Sequence, residues 1–287
     1  MQKWVLQGKS SKTLPTVHIV SDSVGTTAQA VVRATAACFE VFDPAIEVLP
    51  HVTSAKEMIA DLDAHVSLHR RIGESPFVLF YTLVSPEMRS ALQDYIAKND
   101  DIIIAVDAMS DALNALSKAS NTEPIAKPGK IHSVNEYYFR RIDAMEFTIS
   151  HDDGRNPQDL SKADIVLIGV SRSSKTPLSI YLSQMGYRVA NVPLDPQSDP
   201  PKEIFEVDPT RLFGLIISAE ILADIRKKRL GKATNVADLE CVYQDLESAR
   251  ALMRKLGCIV IRTDNRAIEE TAQEILRYYE NAHPQFD

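Results

Sequence analysis

Ala163-Asp-Ile-Val-Leu-Ile-Gly169-Val-Ser-Arg-Ser-Ser174-Lys175-Thr176-Pro177 is the stretch on which the reading of this chain turns. The apolar run DIVLI at 164–168 is short and shows no polar alternation, so it reads as a strand buried on both faces. It enters a glycine, then a hydroxyl-rich turn, then a helix expected over 177–184. Strand, loop and helix in that order are the repeating unit of a parallel α/β sheet.

The same unit recurs outward from it. Downstream, strands are expected at 187–192, 212–217 and 258–261, with helices over 219–228, 239–256 and 267–279. Within 239–256, Leu239, Val242, Leu246, Ala249 and Met253 share one helical face. Upstream, strands at 16–20, 46–49, 77–81 and 101–106 alternate with helices over 28–39, 56–70 and 86–97. Crossovers between such strands are right-handed. The segment NTEPIAKPGKIHS at 121–133 interrupts the series with Pro124, Pro128 and Gly129 and has little to bury, so it reads as a linker. After it a helix is expected over 136–149, with Tyr138, Ile142, Met145 and Ile149 forming its apolar face. The expected fold is α/β: two αβ domains with mainly parallel sheets, residues 1–125 and 130–287, the C-terminal one carrying a P-loop.

Composition narrows the function classes. The chain has 287 residues, 45% hydrophobic and 25% charged, which is ordinary for a globular protein and excludes collagen-like or disordered character. A net charge of −7 argues against general nucleic-acid affinity, which needs clustered Lys and Arg. No apolar run reaches the ~20 residues of a membrane helix, and the start, MQKWVLQGKSSKT, lacks the apolar core of a signal peptide and reads as a short tail or the remnant of a processed or engineered terminus. Three scattered cysteines, Cys38, Cys241 and Cys258, suit a reducing compartment. The expected setting is a bacterial cytoplasm, with a processed chloroplast stromal protein as the alternative, and neither nucleic acid nor membrane is an expected partner.

The loop at 169–176 matches the phosphate-binding pattern G-x-x-x-x-G-K-[ST] at Gly169, Lys175 and Thr176, with Ser174 in place of the second glycine. Backbone N–H groups of such a loop, and the positive end of the following helix, favour an anion. Lys175 would bridge terminal phosphates, Thr176 would place its hydroxyl on Mg²⁺, and Arg172 and Ser173 would add donors. The alternative is an ordinary turn in which a Ser or Thr caps the helix. An Asp at the end of a neighbouring strand usually completes such a site. The strand at 212–217 ends in Ser218, Asp264 lies near the C-terminus and Asp107 lies in the other domain, which leaves the second metal ligand open. The segment 137–154 offers Arg140 and Arg141 on a helix, then Asp152 and Asp153 in the loop beyond it, either as phosphoryl-transfer groups or as a solvated helix with an acidic turn.

Three long stretches resemble the pyruvate, phosphate dikinase regulatory protein family: YYFRRIDAMEFTISHDDG at 137–154, GVSRSSKTPLSIYL at 169–182 and YRVANVPL at 187–194. SDSVGTTA at 21–28 and AIEETA at 267–272 share the likeness, which covers nearly the whole chain from Val17. The resemblance implies two αβ domains, assembled as a homodimer, and a bifunctional regulator. One activity would phosphorylate a dikinase threonine, using ADP as donor, and inactivate the enzyme. That threonine lies near a catalytic histidine that must itself carry phosphate. The other would remove the phosphate with inorganic phosphate as acceptor and release pyrophosphate. The family's close relative acts on phosphoenolpyruvate synthase, and SSKTPLS is more like the dikinase branch.

The resemblance maps the family's nucleotide loop onto Gly169, Val170, Ser171, Arg172, Ser173, Ser174, Lys175 and Thr176. Lys175 and Arg172 would stabilise the transferring group, Asp152 or Asp153 would orient the hydroxyl, and Thr176 would serve Mg²⁺. A small-molecule P-loop kinase using ATP and a nucleotide-sensing binding module are the competing functions. The remaining features carry less. Ser21–Thr27 reads as a capped turn more than an anion or docking site, and 226–229 (RKKR) as cations at a helix end more than a phosphate contact. The seven histidines read as dispersed, with no H-x₃-H or Cys-paired set among them, although His132 and His151 flank the Arg-rich helix.

Overall fold

The protein is described from a computed structural model, which covers residues 4–7, 14–72, 76–125, 127–129, 136–196, 198–230 and 239–284. The chain divides into two compact units, residues 1–133 and 134–287.

In the first unit, β1 (Val5–Gln7), β2 (Val17–Ser21), β3 (Ile46–Leu49), β4 (Phe77–Thr82) and β5 (Ile103–Asp107) form one sheet in the order β1-β3-β2-β4-β5. Strands β2 to β5 run parallel, and β1 pairs antiparallel with β3 at the edge. β2 shows why the sheet is covered on both faces. Its Val17 and Ile19 pack with Ala28 and Val32 of α1 (Thr26–Ala37), whereas Val20 packs with Met58 and Leu62 of α2 (Ala55–Ile72) and Leu92 of α3 (Pro86–Ala97). Successive side chains of a strand point to opposite faces, so a continuous apolar run needs helices on both.

Two elements differ from the sequence reading. The opening segment, expected as a tail, contains β1. A further helix, α4 (Ser110–Ser120), follows β5 and buries none of its residues. Its start is held by Asp107, whose carboxylate accepts from the Met109 and Ser110 amides and the Ser110 hydroxyl. A three-residue edge strand and a helix with no buried stripe both lack the periodic signal that burial imposes on sequence.

In the second unit, β6 (Ile165–Gly169), β7 (Val189–Pro193), β8 (Leu212–Ile216) and β9 (Ile259–Arg262) form an all-parallel sheet in the order β7-β6-β8-β9. Ile165 and Leu167 face α6 (Lys175–Gln184) and α9 (Ile268–Ala282). Val166 and Ile168 face α7 (Ala219–Leu230) and α8 (Leu239–Leu256). Each sheet is thus a doubly wound α/β layer. Because β7 lies on one side of β6 and β8 on the other, the chain changes direction across the sheet at β6. Ligand crevices in open α/β sheets open there, beyond the carboxyl ends of the strands.

Helix α5 (Glu136–Ser150) departs from its expected packing. Tyr138 (40% exposed), Ile142 (36%) and Ile149 (70%) face outward, and Ala144 and Thr148 are the buried residues. Small side chains let the helix approach the sheet closely, and the Thr148 hydroxyl accepts the Val189 amide of β7 at 3.1 Å. Helical periodicity identifies a stripe but not which stripe is covered. In α8, Val242, Leu246, Ala249 and Met253 are buried as expected, while Leu239 is exposed. Among the described residues no helix is long and apolar enough to cross a membrane.

Candidate functional site

The loop after β6 lies at this change of direction and runs into α6 at Lys175, so Pro177 sits inside the first helical turn. Gly169 is required by a close approach. A Cβ there would stand 2.7 Å from the Leu215 carbonyl oxygen of β8 and 2.9 Å from the Ser173 hydroxyl. The strand ends against backbone that cannot yield. Gly169→Ala is therefore expected to cost about 2–3 kcal/mol by overpacking, seen as a lower midpoint in thermal unfolding.

Arg172 and Ser174 both have left-handed backbone, φ 75° and 67°. Alternation of this kind curls successive N–H groups toward one side of a loop and makes an anion-binding concavity. Ser174, standing where the phosphate-loop pattern has glycine, is also the residue before α6, and it makes no side-chain capping bond. The capped-turn alternative requires such a bond. Strained non-glycine residues concentrate at functional sites, and Asp153 (φ 53°), which lies across the cavity, is a third.

The loop borders a cavity of about 550 Å³, lined by Asp152, Asp153, Ser171, Arg172, Ser174, Lys175, Thr176, Pro177, Pro193 and Ile225. That volume is ample for a nucleotide-sized ligand. Lys175 is 6% exposed and donates from Nζ to the Gly169 and Val170 carbonyls, both at 2.9 Å. Burial lowers its pKa from 10.5 to about 8, against the opposing pull of the Asp153 and Asp152 carboxylates, while Arg172 adds to the lowering. A buried cation is held ready by the bend itself.

The Thr176 hydroxyl donates to Asp152 Oδ1 at 3.0 Å. Asn191 Nδ2, from β7, donates both to Asp152 Oδ1 and to Thr176 Oγ1, the latter at 3.1 Å. Asp152 itself is carried on a short 3₁₀ turn, Asp152–Gly154, tied to the sheet where the Asn191 amide donates to the His151 carbonyl at 3.0 Å. The structure thus places a carboxylate beside Thr176, and it comes from upstream of the loop. The other carboxylates considered are engaged elsewhere. Asp264 accepts the Ser218 amide ahead of α7, and Asp107 caps α4.

The remaining loop side chains point away from the cavity. Val170 is in the core, and Ser173 is fully buried beneath the bend, its hydroxyl without a hydrogen-bond partner among the described residues. What these two can offer an anion is backbone N–H. Arg140 packs beside Gly186, past the far end of α6 from the loop, and Arg141 lies over the Tyr137 ring. These helix cations are therefore not lining residues. His151 stacks on Phe147 and donates from Nδ1 to the Phe147 carbonyl at 2.7 Å, a packing role. Arg226 is buried in an ion pair with Asp245 of α8 at 2.7 Å. His132 and the Arg229 side chain lie outside the described residues. In the first unit, Ser21 and Asp22 are used internally: Ser21 accepts from Thr82, and Asp22 accepts the Val84 amide.

Asn191 was missed by the sequence reading. Its one signal is an amide side chain inside the otherwise apolar strand VANV, where a buried polar group needs partners.

Comparison with known proteins gives the chain's family. A family model described as kinase/pyrophosphorylase matches residues 17–276. A Syntrophomonas wolfei protein named as a pyruvate, phosphate dikinase regulatory protein is 41% identical over 275 residues, covering 94% of this chain and 97% of that one. Similarly named proteins of Oceanobacillus iheyensis and Pediococcus pentosaceus are each 40% identical, covering 92% and 91% of this chain and 96% and 95% of theirs. The match runs through both sheets, the bend at 169–176 and the Asp152 turn alike, and the chain belongs to the kinase/pyrophosphorylase family.

Proposed function

We propose that this chain regulates pyruvate, phosphate dikinase by two reactions in one anion cradle. In the first, a dikinase threonine hydroxyl attacks the β-phosphorus of ADP. The new O–P bond forms as the bond from that phosphorus to the α,β-bridging oxygen breaks, and AMP leaves. In the second, an oxygen of inorganic phosphate attacks the phosphothreonine phosphorus. The P–O bond to threonine breaks, pyrophosphate leaves, and threonine regains its proton.

The observation that carries this reading is the convergence of Lys175, Thr176 and Asp152 on one cavity at the carboxyl end of β6. Free phosphate and the β-phosphate of ADP are the same anion to such a site, so the two half-reactions need no separate machinery. Lys175 and Arg172 balance charge on the phosphoryl oxygens. Asp153, exposed at the rim, accepts the threonine proton in the first reaction and returns it in the second. Asp152 and Asn191 hold the Thr176 hydroxyl in place.

Hard oxygen donors are what Mg²⁺ selects, and Thr176 with Asp152 supplies them side by side. These two residues would hold the ion. When bound, it offsets negative charge on the phosphates.

The test is donor and acceptor choice. The purified chain is incubated with β-labelled ADP or γ-labelled ATP and dikinase carrying phosphohistidine, and phosphothreonine is sought. Label from ADP on a dikinase threonine, released as pyrophosphate when phosphate is added, is the expected result. Label from ATP alone, label on phosphoenolpyruvate synthase in preference to the dikinase, or nucleotide binding without any transfer would each overturn the proposal.

A further inference from the structure

His65 and His69 are four residues apart in the sequence HVSLH, so they share one face of α2. The reading of the histidines as dispersed, with no H-x₃-H pair among them, is therefore wrong: His65 and His69 are such a pair, and the fold gathers them with His18. The fold brings His18 of β2 against it, on the strand face that also carries Val20, and the three ring centroids lie 4.6, 4.7 and 5.0 Å apart. Glu47 of β3 completes the group. Its Oε2 is 3.5 Å from His18 Nε2 and 3.6 Å from His65 Nε2, and His65 Nε2 is 3.1 Å from His69 Nε2.

These separations have a specific meaning. A tetrahedral Zn²⁺ with bonds of about 2.0–2.1 Å requires its donor atoms to stand about 3.3–3.4 Å from one another. The 3.1, 3.5 and 3.6 Å separations bracket that edge. The imidazole donors all lie within 4.8 Å of one another, with His18 1% and His69 7% exposed. A buried imidazole nitrogen without a partner is costly, and His18 Nδ1 has no hydrogen-bond partner among the described residues. The apolar surround that tunes metal sites is present as well: Trp4 stacks on His65 at 4.5 Å, and Phe77 packs edge-on to His18 at 4.7 Å. Glu47, with 27% side-chain exposure, leaves a way in.

We propose that His18, His65, His69 and Glu47 form a structural zinc site in the first unit, separate from the phosphate cradle. Three imidazoles and a carboxylate suit Zn²⁺ over Mg²⁺ or Ca²⁺, which prefer all-oxygen sets. With every position of the tetrahedron filled by protein, the site is closed, and its work is to fasten α2 to β2 and β3.

The full chain, stripped with chelator and given Zn²⁺ alone, is expected to retain one equivalent through dialysis and to unfold at a higher temperature. Co²⁺ in its place should give the intense visible absorption of a four-coordinate ion, with no thiolate charge-transfer band. That spectrum excludes the cysteines as ligands. His65→Gln, which keeps most of the volume, should weaken Zn²⁺ binding by more than about a hundredfold and abolish the thermal shift. Zn²⁺ lost on dialysis, a weak six-coordinate Co²⁺ spectrum or thiolate bands in the wild type would each overturn the site, whether or not the variant folds. So would a folded His65→Gln protein with unchanged affinity.

Discussion

Lys175→Met is expected to depress the two proposed reactions, ADP-dependent phosphorylation and phosphate-dependent dephosphorylation, together, each by about a thousandfold, the scale of losing a preorganised group that stabilises transition-state charge. Methionine keeps the length and apolar body of the side chain and removes the cation. The loss is large because Lys175 is nearly enclosed and braced on the Gly169 and Val170 carbonyls, so it can meet a phosphate without first being ordered. Parallel assays of both reactions with one protein preparation are the check. If either reaction kept its wild-type rate, two separate sites would be needed.

The same lysine predicts a pH profile. Its pKa is lowered to about 8, so the charged form gives way to the neutral one as pH rises through that value. Both activities should therefore fall on an alkaline limb near pH 8. Stability moves in the opposite sense. Between about 8 and 10.5 the unfolded chain holds a proton on Lys175 that the folded chain has released, so this group's contribution to stability increases over that window. A loss of activity above pH 8 without loss of the folded signal separates titration of Lys175 from unfolding.

Asp152→Asn is expected to lower both rates by about a hundredfold and to raise the Mg²⁺ concentration needed for half-maximal rate by about ten- to a hundredfold. The substitution keeps the shape of the side chain but removes a carboxylate that accepts from both Thr176 and Asn191. Asp152 also opposes the lowering of the Lys175 pKa. Removing its charge should move the alkaline limb to lower pH, which a purely structural role would not do. An unchanged Mg²⁺ requirement together with an unmoved limb would show that Asp152 serves the fold alone.

How much of this was legible in the chain depends on what each feature needs. The strand at 164–168 is apolar throughout because both of its faces are covered, and burial on both faces is a local, one-dimensional signal. The loop beyond it was equally readable, since its glycine, lysine and threonine sit at intervals that a single turn enforces. The outward-facing stripe of α5 was misread because Tyr138, Ile142 and Ile149 have the same period whether or not a neighbour covers them. Helix α4 and strand β1 were silent because neither buries enough side chain to mark its sequence.

Residues 163–177 alone determined a strand running into a tight, hydroxyl-rich bend, because the groups that make that bend are neighbours along the backbone. Tertiary structure alone decided that Asp152 and Asn191 close on Thr176, and that His18 meets His65 and His69. Those partners come from separate elements, and their meeting depends on the order in which parallel strands assemble and on which face each side chain takes.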